Sequence, residues 1–80
     1  MNVHRFSRFY STRRDASLEY HYDVAWWRIS GAIVWEAKVY RVGELKGTPG
    51  GQFENPTQFP QRDVRTVVED SIEGLFDVAK

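Results

Sequence analysis

The chain has no cysteine, so it has neither a disulfide framework nor thiolate chemistry. No apolar run approaches the ~20 residues of a membrane-spanning helix, and no signal pattern opens the sequence. A small secreted domain usually relies on disulfides. The expected location is therefore the cytoplasm, with no membrane partner. Neither charge sign is in excess: eleven Lys and Arg balance eleven Asp and Glu. That neutrality argues against strong, unassisted nucleic-acid binding. The three prolines all fall between residues 49 and 60, which leaves the rest of the chain free of that breaker.

What is present points to a folded domain. A hydrophobic fraction of 41% and an aromatic fraction of 15% are too high for a disordered chain. The 80 residues make one small domain. A fold of this size buries only roughly 60% of its unfolded surface, so large aromatic side chains, at roughly 150–250 Å² each, must carry much of the core.

Residues 18–42 predict a long β-hairpin. On the first arm Leu18, Tyr20, Tyr22, Val24 and Trp26 alternate with Glu19, His21, Asp23 and Ala25. On the second arm Ile33, Trp35, Ala37 and Val39 alternate with Val34, Glu36, Lys38 and Tyr40. Alternation with β-branched and aromatic residues suits half-buried strands. Ser30-Gly31-Ala32 is the turn signal between the arms. A Ser30-Gly31 loop sets Trp26 opposite Trp35, Tyr22 opposite Val39 and Asp23 opposite Lys38. A Gly31-Ala32 loop sets Trp26 opposite Ala37 and Arg28 opposite Trp35. The first is preferred, because it pairs opposite charges and two aromatics across the strands. Either register puts the same residues on one face.

Trp26 and Trp27 are adjacent, so on a regular strand they point to opposite faces. The second face is polar far from the turn, at Glu19, His21, Asp23 and Lys38. It is apolar near the turn, at Trp27, Ile29, Ala32 and Val34. Either a β-bulge rotates Trp27 back onto the core face, or Trp27 stands on the second face as an interaction anchor.

Three further segments complete the chain. Residues 1–16 hold Arg5, Arg8, Arg13 and Arg14 among Phe6, Phe9 and Tyr10. They read as a flexible basic and aromatic arm, as a nucleic-acid contact, or as an added edge strand. Residues 43–60, rich in Gly and Pro, read as a flexible connection. Gln52-Phe53-Glu54 is a candidate short strand within it, and Phe53 or Phe59 a candidate anchor to the core. No phosphate-binding glycine motif is present. Residues 61–79 predict a helix: Val64, Val67, Val68, Ile72, Leu75, Phe76 and Ala79 form one apolar stripe. Pro60 suits its first turn, and Asp63 is a candidate N-cap or a favourable charge at the helix N-terminus. Arg65, Glu69, Asp70, Glu73 and Asp77 fall on the opposite face.

The expected architecture is α+β, a single domain of residues 1–80. An antiparallel sheet of two or three strands (the hairpin over 18–42) carries one C-terminal helix (about 61–79) on one face. Catalytic chemistry is not expected. The two histidines, His4 and His21, lie far apart, and His21 with Asp23 is two ligands short of a typical metal site. No nucleophile motif occurs, and no metal or cofactor is implied.

The pattern predicts a non-enzymatic protein-interaction module of the regulator or inhibitor kind. It would act through an aromatic sheet face (Trp27, Ile29, Val34, Tyr40) and an acidic helix face (Glu69, Asp70, Glu73, Asp77). The partner is another protein or a second copy of the chain. One alternative is nucleic-acid binding through Arg5, Phe6, Arg8, Phe9, Tyr10, Arg13 and Arg14. Another is an acidic nucleic-acid mimic built on the helix ridge.

Overall fold

A computed structural model of the protein describes residues 2–74. Their order is β1 (His4–Ser11), β2 (Glu19–Ile29), β3 (Ala32–Arg41), β4 (Glu44–Gly47), β5 (Gly50–Glu54) and α1 (Pro60–Ile72). The fold is α+β: an antiparallel sheet in the order β1-β2-β3-β4, with β5 also paired to β3 and one helix packed on one face.

The central hairpin takes the Ser30-Gly31 register. Ser30 has φ 48° and Gly31 φ 84°, and two positive φ values are what a two-residue type I′ turn requires. Trp26 therefore pairs with Trp35, Tyr22 with Val39 and Asp23 with Lys38. The β2–β3 register runs without a shift from His21 to Ile29. No bulge rotates Trp27, which stays on the face opposite Trp26 and pairs with Val34.

The sheet has more strands than the two or three expected, for two reasons. First, the basic head is an edge strand. β1 pairs with β2 from His4↔Trp26 to Ser11↔Glu19. The turn between these strands is closed by Thr12, which is 3% exposed. The Thr12 main chain bonds to Leu18 and its hydroxyl donates to the Asp15 carbonyl at 2.7 Å. Second, much of the segment expected to be a flexible connection is strand. β4 and β5 both run antiparallel to β3, and the Ala37 amide bonds to the Pro49 carbonyl between them. Together they form one interrupted outer strand. Its glycines allow a close approach: a Cβ on Gly50 would lie 3.1 Å from the Trp35 carbonyl oxygen. Phe53 packs against the core, whereas Phe59 is exposed.

One face of the sheet meets α1. Val64, Val68 and Ile72 are fully buried against Tyr20, Tyr22, Val24, Trp26, Ile33, Trp35, Ala37 and Val39. Pro60 opens the helix, whose N-cap is Phe59 rather than Asp63. Asp63 instead accepts bonds from the Thr57 amide and hydroxyl, both at 2.8 Å, and so fixes the approach to the helix. The stripe residues Leu75, Phe76 and Ala79 lie outside the described residues.

The β3–β4 turn is built on Val42 (φ 52°) and Gly43 (φ 76°). A β-branched residue in the left-handed region is strained by about 1–2 kcal/mol, and Val42 is 95% exposed, so packing recovers none of that cost. Val42→Asn, which places the favoured Asn-Gly pair in the turn, is expected to stabilise the fold by about 1 kcal/mol. Thermal melts would show this as a rise of roughly 4–8 °C for a domain of this size.

Candidate functional site

Because side chains alternate across a strand, the sheet has a second face that α1 leaves uncovered. β1 contributes Arg5, Ser7 and Phe9. β2 contributes His21, Asp23, Ala25, Trp27 and Ile29, and β3 contributes Val34, Glu36, Lys38 and Tyr40. Leu45 of β4 is paired with Tyr40, and Gln52 of β5 with Val34.

This face has three zones. At one end is a row of rings: Phe9 and His21 have centroids 4.8 Å apart, and His21 and Tyr40 6.1 Å apart. Leu45 extends the row onto β4. In the middle is a concavity of about 730 Å³ whose wall includes Arg5, Asp23, Ala25, Glu36, Lys38 and Tyr40. Ala25 is buried because its neighbours are longer, which makes the middle of the face hollow. At the turn end, half-buried Trp27 and Val34 lie beside Ile29. Phe9 is 68% exposed, Leu45 51% and Ile29 48%. Among the described residues, no element covers this apolar surface.

The acidic helix residues are arranged differently from a free ridge. Glu69 accepts a hydrogen bond from the Tyr22 hydroxyl at 2.9 Å and lies 3.6 Å from Arg8 Nε. Glu73 accepts from the Tyr10 hydroxyl and from the Arg13 amide. Both glutamates are turned toward the sheet and mostly covered, at 18% and 17% side-chain exposure. Asp70 pairs with Arg13 at 2.7 Å, and this bond holds the Arg13 guanidinium above its ordinary pKa. Asp77 lies outside the described residues. Two of the four ridge residues therefore fasten the helix to the sheet.

The basic and aromatic head is divided between the two faces. Arg5 and Phe9 join the uncovered face. Phe6, Arg8 and Tyr10 lie on the helix side, with Phe6 edge-on to Tyr22 at 6.3 Å. Arg13 and Arg14 follow in the turn after β1. The seven residues are therefore not one surface. His21 lies 3.6 Å from Asp23, but no group of three or more His, Asp or Glu that could hold a metal ion occurs among the described residues. No helix of the described residues is long and apolar enough to cross a membrane.

Two tyrosines carry the electrostatic signature of the helix–sheet joint. Burial first, and then the bond to Glu73, pushes Tyr10 up to about 12. Tyr22 is raised further, again by burial first and then by Glu69. No protein-family model, curated protein or solved structure matches this chain, so its function has to be read from its own geometry.

Because the folded-state values lie above the ordinary tyrosine value of about 10, folding favours the neutral phenols. Their contribution is complete below about pH 10 and is lost as pH rises through the folded-state values. Denaturant melts should show stability declining above about pH 10. Tyr22→Phe leaves the Glu69 carboxylate short of a donor and is expected to cost about 1.5–3 kcal/mol at neutral pH. The same variant should have a shallower alkaline decline than the wild type.

Proposed function

We propose that the chain is a small, non-catalytic protein-interaction module of the regulator or inhibitor kind, which docks a protein partner on the uncovered sheet face. The observation that carries the reading is the presence of two apolar ends, exposed Phe9 and Leu45 at one and half-buried Trp27 with exposed Ile29 at the other, around a hollow floored by Ala25. Exposed apolar patches bordered by polar groups on a small domain mark interaction sites. Aromatic side chains are favoured interface anchors. The size also fits. Four strands about 4.8 Å apart and ten residues long at about 3.4 Å each give a projected face of about 650 Å². That is close to the ~800 Å² that each partner contributes to a standard protein interface.

The row formed by Phe9, His21 and Tyr40 favours a second reading, stacking of single-stranded bases. The charge of the face weighs against it. Across β1, β2, β3 and β5, Arg5 and Lys38 face four acids, Glu19, Asp23, Glu36 and Glu54, and phosphate contacts need the opposite balance. Arg13 is already engaged by helix carboxylates, and Arg8 lies on the helix side of the sheet rather than on this face. The acidic-mimic reading is weakened in turn, because Glu69 and Glu73 are spent on the joint.

Light scattering over a concentration series, combined with a photo-crosslinking side chain at position 29, tests the docking face. A doubled mass and a crosslinked dimer identify the partner as a second copy. A monomer that crosslinks a protein of different mass identifies a foreign one. In both cases Trp27→Ser should abolish the complex while leaving the circular dichroism unchanged. A monomer with no crosslink at position 29, or a complex untouched by Trp27→Ser, overturns the reading.

A further inference from the structure

On the helix side of the molecule, β1 and the first turns of α1 border a cleft of about 560 Å³ whose wall includes Arg8, Arg62, Arg65, Phe6, Phe59 and Trp26. Three arginines and no acid contribute to that wall. Arg62 and Arg65 are i and i+3 on the helix and so share a side, and the register of β1 places Arg8 on the helix face of the sheet. Arg8 lies 3.6 Å from Glu69 through Nε. Arg62 is held over the Phe59 ring, its guanidinium carbon 4.9 Å from the ring centroid. Among the described residues, neither Arg62 nor Arg65 pairs with an acid.

A second observation concerns Trp26, whose ring also stacks on His4 with centroids 4.2 Å apart. Trp26 is the buried residue of the cleft, 4% exposed. Its indole Nε1 is buried and has no hydrogen-bond partner. A buried donor without an acceptor is costly, and tryptophan indoles usually find one. The cleft also adjoins the N-terminus of α1, where a negative charge is favoured.

We propose that this cleft binds a small phosphorylated molecule, with the phosphate on Arg8, Arg62 and Arg65 and the organic part against Phe6, Phe59 and Trp26. Guanidinium groups match phosphate oxygens in a bidentate fork, and three of them suit a doubly charged group better than a single carboxylate. The mixed wall of rings and cations fits the usual make-up of a small-molecule site, and the volume lies in its usual range. Zero net charge disfavours a polyanion in the same place. The cleft and the docking face meet at Phe6 and Ser7 on β1, but Arg62, Arg65 and Trp26 are on the helix side and Trp27 and Ile29 on the other, so the two readings are tested by different residues.

Titration of the full chain with phenyl phosphate, inorganic phosphate, benzoate and sodium chloride, followed by ¹H–¹⁵N NMR, tests the assignment. Trp26→Phe identifies the Trp26 indole signal. Phenyl phosphate should give a saturable shift of that signal and of the Arg62 and Arg65 amides. Inorganic phosphate should bind at the same place more weakly, and chloride should give no saturation. Arg62→Gln, and separately Arg62→Gln with Arg65→Gln, should weaken phenyl phosphate at least tenfold while the unliganded spectrum keeps its dispersion. Any of three results overturns the proposal: no saturation with phenyl phosphate, binding unchanged in both variants, or benzoate binding as tightly as phenyl phosphate.

Discussion

The structure depends on one contact: the stripe of Val64, Val68 and Ile72 on α1 against the aromatic and β-branched face of the central hairpin. These three side chains are fully buried, as are Tyr22, Ile33 and Val39 beneath them. A hairpin alone is marginal in water, so the helix supplies the second layer that makes a core. The stripe also sets which polar groups approach the sheet. Glu69 and Glu73, four residues apart, come down onto the hydroxyls of Tyr22 and Tyr10. The joint is thus apolar at its centre and closed along one side by phenol–carboxylate bonds.

The same contact leaves the other sheet face bare. One helix covers one face, and the alternation of side chains in β2 and β3 means the second face is built whether or not anything covers it. In this chain the second face is not simply polar. Its middle is charged and hollow, and its two ends are apolar. The molecule is therefore two-sided: arginines gather beside the helix N-terminus on one side, and rings with a slight acid surplus lie on the other.

The hairpin was legible in the sequence, down to its register. Asp23 with Lys38 and Trp26 with Trp35 are pairs that only the Ser30-Gly31 loop allows, and Gly31 readily supplies one of the two positive φ values the turn requires. The helix was legible because a stripe with helical period runs through Val64, Val67, Val68 and Ile72 with no Gly or Pro among them, and α1 spans Pro60–Ile72. The outer strand was not. Gly47, Gly50 and Gly51 are turn-forming residues taken one by one, and they sit in strands because β3 offers an unpaired edge and the close approach at Gly50, where a Cβ would lie 3.1 Å from the Trp35 carbonyl oxygen, suits a residue without a side chain. The Val42-Gly43 turn was hidden for the opposite reason: a valine argues locally against the left-handed conformation it adopts. The ring row of Phe9, His21 and Tyr40 needed two strand registers at once, one of them with a head segment that also read as a flexible arm.

Composition and periodicity alone determined that this is a small α+β domain with one helix and a long hairpin, because those features rest on local period and turn chemistry, whereas the face taken by Trp27 was settled by the unshifted β2–β3 register. Tertiary structure alone decided the uses of the charged residues. Glu69 and Arg8, or Arg62 and Arg65 with Trp26, meet only when the helix is laid across the sheet. A carboxylate that looks like a solvated ridge on a helical projection becomes a hydrogen-bond acceptor once a buried tyrosine reaches it. Charge pairing depends on distance in space, and for residues tens of positions apart no local pattern encodes it.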